Sequence, residues 1–217
     1  MMPENYTTIK YPVCSKKLSG NGGVNMGDFN VISEVSNAIL KTMRDNLCPE
    51  LIQSPESIML TVPSDKNADF QLGLYLYDIQ EMREYRQTEY VRISHSQRQL
   101  PPKPLNLYYA LYINSKSQLT VDAENEQRIL GRVMQILMDY PILPETTADE
   151  DDMGITITFQ TMSFEEKSKL WSVLSTPYQL AVYFSVAPVL LSSRKISSFT
   201  RVVDAEFGTT QFRGGRG

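Results

Sequence analysis

The stretch PPKPLNLYYALYI, residues 101–113, decides the fold. Its apolar side chains fall at every second position: Leu105, Leu107, Tyr109, Leu111 and Ile113. Successive side chains of a strand point to opposite faces, so this alternation predicts a strand with one continuous apolar face. The double proline ahead of it sets an extended lead-in and cannot itself sit in a central strand. Upstream, residues 71–78 alternate in the same way, with Leu72, Leu74 and Leu76 on one side and Gly73, Tyr75 and Tyr77 on the other. Residues 57–62 form a short apolar strand candidate. Downstream, Ile155, Ile157 and Phe159 mark a strand over 155–161. Tyr178, Leu180, Val182, Phe184 and Val186 mark another over 178–186, with apolar content running on to Leu191.

Helical spacing fills the intervals. Ile32, Val35, Ile39 and Met43 recur at three- and four-residue steps after Asp28 and Asn30, either of which suits an N-cap, and the helix ends before Pro49. A second helix covers 123–139, with Ile129, Val133, Ile136 and Leu137 on its apolar face beside Leu130 and Met134, and stops before Pro141. Ser163 and Glu166 have the spacing of a capping box, so a third helix begins there and presents Phe164, Leu170, Trp171 and Leu174. Residues 79–99 are polar and charged and read as an exposed strand or a long loop. The order α-β-β-β-α-β-α-β predicts an α+β domain, a single mixed β-sheet with helices packed on it. The core spans 28–192, between an N-terminal arm (1–27) and an extended C-terminal arm (193–217).

The composition excludes several classes of function. A net charge of −4 is unsuited to gripping phosphate backbones, so no nucleic-acid partner is expected. No apolar run reaches the roughly 18 residues a membrane helix needs, since 180–191 is interrupted by Tyr183, Ser185 and Pro188. The start MMPENYTTIK lacks a basic stretch followed by an apolar one, which predicts cytoplasmic synthesis without a signal peptide. Cys14 and Cys48 belong to no metal-binding cluster, and His95, the only histidine, sits in the polar stretch RISHSQRQ without suitably spaced partners. SGNGG (19–23) lacks the lysine and hydroxyl residue of a phosphate loop. The acidic run 145–152 lacks the ligand spacing of a calcium loop. No G-x-S-x-G elbow is present, and Trp171 reads as a core plug. No catalytic residue, metal or cofactor is expected.

The C-terminal arm differs in character. Arg194, Lys195, Arg201, Arg213 and Arg216 face only Asp204 and Glu206, a net of +3 that leaves −7 on the rest of the chain. Its stretch ISSFTRVVDAEF (196–207) is apolar and β-branched enough to add a strand to the sheet edge of another chain. Arg194, Lys195, Phe199, Arg201, Val202, Val203, Phe207 and Phe212 are therefore the candidate partner-binding residues.

Four segments carry a family resemblance: ISEVSNAILKTMRDNL (32–47), LGLYLYDIQEMREYR (72–86), PPKPLNLYYALYI leading into ENEQRILGRVMQILMDYPIL (101–143), and KLWSVLSTPYQLAVYFSVAPVLL (169–191). In content, order and spacing the chain resembles the cap, or tail-terminator, proteins of extracellular contractile injection systems, the class of antifeeding prophages and virulence cassettes. The resemblance implies a non-enzymatic structural subunit with a tail-terminator-like fold. It implies a homohexameric ring at the end of the inner tube away from the baseplate, in contact with inner tube protein and with the last layer of contractile sheath protein. Such a subunit belongs to an assembled particle, released from or anchored in the cell. A baseplate or tube-initiation component of the same particle is the alternative, and a small-ligand-binding α+β domain a further one.

Overall fold

In the computed structural model, residues 29–65, 69–85, 89–94, 96–114, 122–142 and 154–198 are described. Strand β5 (Lys103–Ile113) is the middle of a five-stranded sheet whose order is β1-β2-β5-β7-β6. Its neighbours β2 (Leu72–Glu81) and β7 (Ala181–Leu191) are antiparallel to it, β6 (Thr156–Phe159) is antiparallel to β7, and β1 (Ile58–Leu60) runs parallel to β2. The sheet is therefore mixed, as the sequence predicts.

The alternation assigns the two faces. Leu72, Leu74, Leu107, Tyr109, Leu111, Ile113, Phe184 and Val186 point to one side and are buried. Helices α1 (Val31–Leu47) and α2 (Ala123–Asp139) cover that side with Val35, Ile39, Met43, Ile129, Val133 and Ile136, which join the same apolar cluster. Tyr109 stacks on Phe184 across the strand pair at 5.6 Å, and its hydroxyl meets Ser36 of α1 at 2.8 Å. A buried phenol without such a partner would cost a desolvated polar group.

The opposite side is aromatic. Tyr112 packs edge-on against Phe70 and Trp171 at 5.8 and 5.5 Å, and Tyr77 packs against Tyr108 and Tyr183. Helix α3 (Phe164–Val173) delivers Trp171, whose indole N–H donates to the Tyr183 hydroxyl at 2.8 Å. The structure thus has three layers, α1 and α2, the sheet, and α3.

The helix starts follow their caps. Asp122 accepts from the Asn125 N–H at 2.9 Å, and Ser163 with Glu166 forms the predicted capping box. Asn30 occupies the N-cap position of α1 without a side-chain capping bond, and Asp28 lies outside the described residues.

Three features differ from the sequence reading. Helix α3 does not bury all four apolar residues assigned to it. Trp171 is buried, but Phe164 is 72% exposed and only rests against Tyr178. The last long strand begins at Ala181, because Tyr178 and Leu180 are exposed and pair with no strand, and it continues through Pro188. An extra residue in β7 opposite Asn106 absorbs that proline, since Leu105 lies opposite Val189 and Leu107 opposite Val186. Pro104 likewise lies inside β5, where its carbonyl accepts from the Met82 N–H at 2.9 Å. Its ring nitrogen faces the same flank and cannot return a bond to Met82, so the β2–β5 ladder closes there on a single hydrogen bond.

The third difference is a second sheet. Within the polar stretch 79–99, β2 extends to Glu81, and β3 (Val91–Arg92) and β4 (Gln97–Gln99) form a hairpin. Strand β8 (Ile196–Ser198) pairs with β4, giving the order β3-β4-β8. Strands this short and polar carry no apolar alternation to betray them.

Candidate assembly surface

The ends of β2, β5 and β7 that lie together at one end of the main sheet also generate the small sheet. Lys103 of β5 lies opposite Leu191 of β7; four residues upstream Gln99 lies opposite Ile196, five residues downstream of Leu191. The β4–β8 pair therefore continues the β5–β7 ladder with a one-residue offset across Pro101 and Pro102. The Gln99 side-chain amide donates to the Ser193 carbonyl, and the Lys195 N–H donates to the Ser193 hydroxyl at 3.1 Å, which fixes the turn.

This is where the C-terminal arm leaves the body. Arg194 and Lys195 are exposed in the turn before β8. Phe199, Arg201, Val202, Val203, Phe207 and Phe212 lie outside the described residues. The arm does begin as an added strand, but for residues 196–198 the receiving edge is β4 of the same chain.

Nothing in the small sheet is buried, and Tyr90, Ile93, Leu100 and Ile196 on and beside it expose 39–53% of their surface. Arg98 lies 4.4 Å from the Tyr90 ring centre, a cation–π contact that holds the hairpin from one side. At the end of β2 beside β5 an open cleft of about 620 Å³ is lined by Gln80, Glu81, Met82, Arg83, Glu84, Asn106 and Tyr108. Three contacts join its polar groups, with Asn106 donating to the Tyr108 hydroxyl at 3.0 Å, Tyr108 donating to Gln80 at 3.3 Å, and Lys103 lying 3.4 Å from Glu81, while the Asn106 side-chain oxygen is buried without a hydrogen bond. Two carboxylates, two amides, a phenol and a guanidinium line it, with no serine, threonine, cysteine, lysine or histidine among the lining residues to act as an activated nucleophile. The cleft forms where two strand ends meet, and no spacing within one segment points to it.

Other sequence candidates fall elsewhere. His95, Cys14, the glycine-rich stretch 19–23 and the acidic run 145–152 lie outside the described residues. The Cys48 thiol is pushed up by burial, with Arg44 pulling the other way. Among the described residues no group of three or more His, Cys, Asp or Glu is placed to hold a metal, and no helix is long and apolar enough to cross a membrane.

The two edges of the main sheet are treated differently. At β1 the Arg44 guanidinium donates to the outward Ile58 carbonyl at 2.6 Å. At β6 the Ile157 N–H donates outward to the Pro141 carbonyl at 2.7 Å and Ile142 pairs with Thr156, so the chain after α2 covers only the first half of the strand. Met138, Tyr140, Ile142 and Phe159 are exposed around the rest.

Residues 34–205 match the Pvc16 N-terminal domain family. The chain belongs to that family. The match bears out the sequence resemblance and reaches further than the four quoted segments, since it takes in β8 and the arm as far as residue 205. Two solved structures share this Pvc16 N-terminal domain fold. One is the PVC sheath/tube terminator of an extracellular contractile injection system in its extended state, with a TM-score of 0.62 and 18% identity over 86% of this chain and 65% of that one. The other is the tube-terminating cap of the anti-feeding prophage, with a TM-score of 0.57 and 17% identity over 82% of this chain and 61% of that one. This chain thus spans less than two thirds of the length of either neighbour. No curated protein matches it in sequence.

Proposed function

We propose that this chain is a structural terminator subunit of a contractile injection particle, closing the inner tube and meeting the last sheath layer at the end away from the baseplate. The observation that carries the reading is the family match over 34–205, joined to the likeness of the fold to two terminators, one of a sheath and tube and one of a tube. The role is non-enzymatic: burial goes into two apolar clusters, and the cleft at the sheet end lacks a nucleophile–base pair. The working form is a homo-oligomeric ring, six-fold as the family resemblance implies, built by head-to-tail contacts whose rotation closes. Its partners are further copies of itself, inner tube protein and sheath protein, and its place is within the assembled particle. The basic C-terminal arm, with Arg194, Lys195, Phe199, Arg201, Val202, Val203, Phe207 and Phe212, supplies the tether.

The test is the particle made without this chain. Tubes of uncontrolled length are expected in electron micrographs, with a label on the restored protein found at the end opposite the baseplate. Particles of normal length made in its absence, or a label at the baseplate, would refute the reading.

A further inference from the structure

The β6 edge and the path of the arm fit each other between copies. β8 runs antiparallel to β4 and reaches Ser198 opposite Gln97. There β4 stops, because the Ile93 and Ser94 N–H groups turn back onto the Gln97 carbonyl. The β4–β8 pairing therefore ends at Ser198, where β4 has no further residue to offer. Meanwhile, among the described residues, no strand covers the second half of β6. Its outward groups alternate: Ile157 donates outward to Pro141, Gln160 donates inward to the Tyr183 carbonyl at 2.9 Å, so the Phe159 N–H and carbonyl face outward. Among the described residues no strand meets them there, and the Phe159 side chain is 39% exposed. An unguarded edge is a template for a strand from another chain.

We propose that residues 199–207 of one copy add as a strand along the β6 edge of the next, making this edge the seam of the ring. The occupant follows from three observations. The sequence from Phe199 to Phe207 is rich in β-branched and aromatic residues. Arg194 and Lys195 before the segment and Arg213 and Arg216 after it are drawn to a body of net −7, which brings the intervening 199–207 against it, although that segment itself carries Arg201 against Asp204 and Glu206. The arm departs beyond the β6 start, since Thr156 lies opposite Ala187 while β8 begins after Leu191. Reaching its own Phe159 would need a reversal past the stretch already held by Pro141 and Ile142, whereas a neighbour's edge needs none. A contact between different surfaces of successive copies is the kind that closes a ring. The inference rests on the terminator reading above.

Its test uses particles assembled with the full chain. With Cys14→Ser and Cys48→Ser as background, Phe159→Cys and Val203→Cys are expected to give chain-to-chain disulfides that ladder up to a closed ring on a non-reducing gel. Phe159→Pro removes only the outward N–H and is tolerated on an edge strand. It is expected to raise the concentration needed for ring assembly at least tenfold, against less than twofold for Phe159→Ala. Disulfides formed only within one chain, or none with the protein in place at the particle end, overturn the proposal, and so does Phe159→Pro assembling like Phe159→Ala. If the chain is missing from particle ends altogether, the terminator reading fails with it, so the two failures are told apart.

Discussion

At the scale of single residues, two buried positions make sharp predictions. Tyr109 is fully buried, and desolvation holds its phenol protonated up to about 12, only partly offset by the Ser36 hydrogen bond. The unfolded chain loses that proton near the ordinary value of 10, so the folded state binds more protons between about pH 10 and 12 and stability falls as pH rises through that window. Across the whole window the contribution of Tyr109 is about 3 kcal/mol. Urea midpoints at pH 8 and pH 11 are expected to differ less for Tyr109→Phe than for the unaltered chain. At pH 8 the substitution itself is expected to cost about 1 kcal/mol, since Ser36 keeps its bond to the Ile32 carbonyl. Gly73 is the second position. A Cβ there would lie 2.6 Å from Tyr112 Cζ and 2.8 Å from Phe70 Cε2. Those rings are wedged against Trp171 and cannot withdraw, so Gly73→Ala is expected to cost about 1–3 kcal/mol in denaturant unfolding. An unchanged midpoint would mean that the aromatic face is looser than the distances imply. Sequence alone marks Gly73 only as the small member of an alternating row, because the ring it accommodates comes from a different strand.

At the scale of elements, legibility depended on how much of the signal is local. Helix α2 runs over the residues the sequence predicts, because Asp122 and Pro141 bracket it and its apolar spacing is regular. The Ser163–Glu166 box also appears as read. Its removal by Ser163→Ala is expected to cost about 1 kcal/mol. Thermal unfolding monitored at Trp171 checks this, and an unshifted midpoint would assign the stability of α3 to its packing alone. The start of β7 was not legible, since Tyr178 and Leu180 keep the period of two while standing outside the sheet. A repeating pattern states which side chains share a face, not where pairing begins. Phe164 was misplaced for a related reason: helical spacing put it with Trp171, but α3 covers the sheet with a narrow stripe, and its first residue overhangs. For β3, β4 and β8 the sequence offered only an exposed strand or a loop over 79–99 and a strand-forming tail, and not their bounds or partners, because their pairing depends on the prior meeting of β5 and β7.

At the scale of the whole molecule, the sequence conveyed an α+β core flanked by an arm of opposite charge. It did not convey that β1 is parallel to its neighbour, or that the arm starts as a strand on its own body. That second point changes what truncation does. Removing 193–217 takes away β8 along with the basic segment and uncovers one side of β4. The shortened chain is expected to fold, with the denaturation midpoint of the core little changed, and to lose ring formation and capping in particle micrographs. Rings and normal tubes from the truncated chain would show the arm to be dispensable. The direct run from β7 into β8 has one more consequence, a mechanical one. Tension on the tail pulls β7 lengthwise while β5 and β6 grip it from both flanks. The rungs lie across the direction of pull and share the force in shear rather than unzipping singly, so a load on the tail is taken up where the domain resists best.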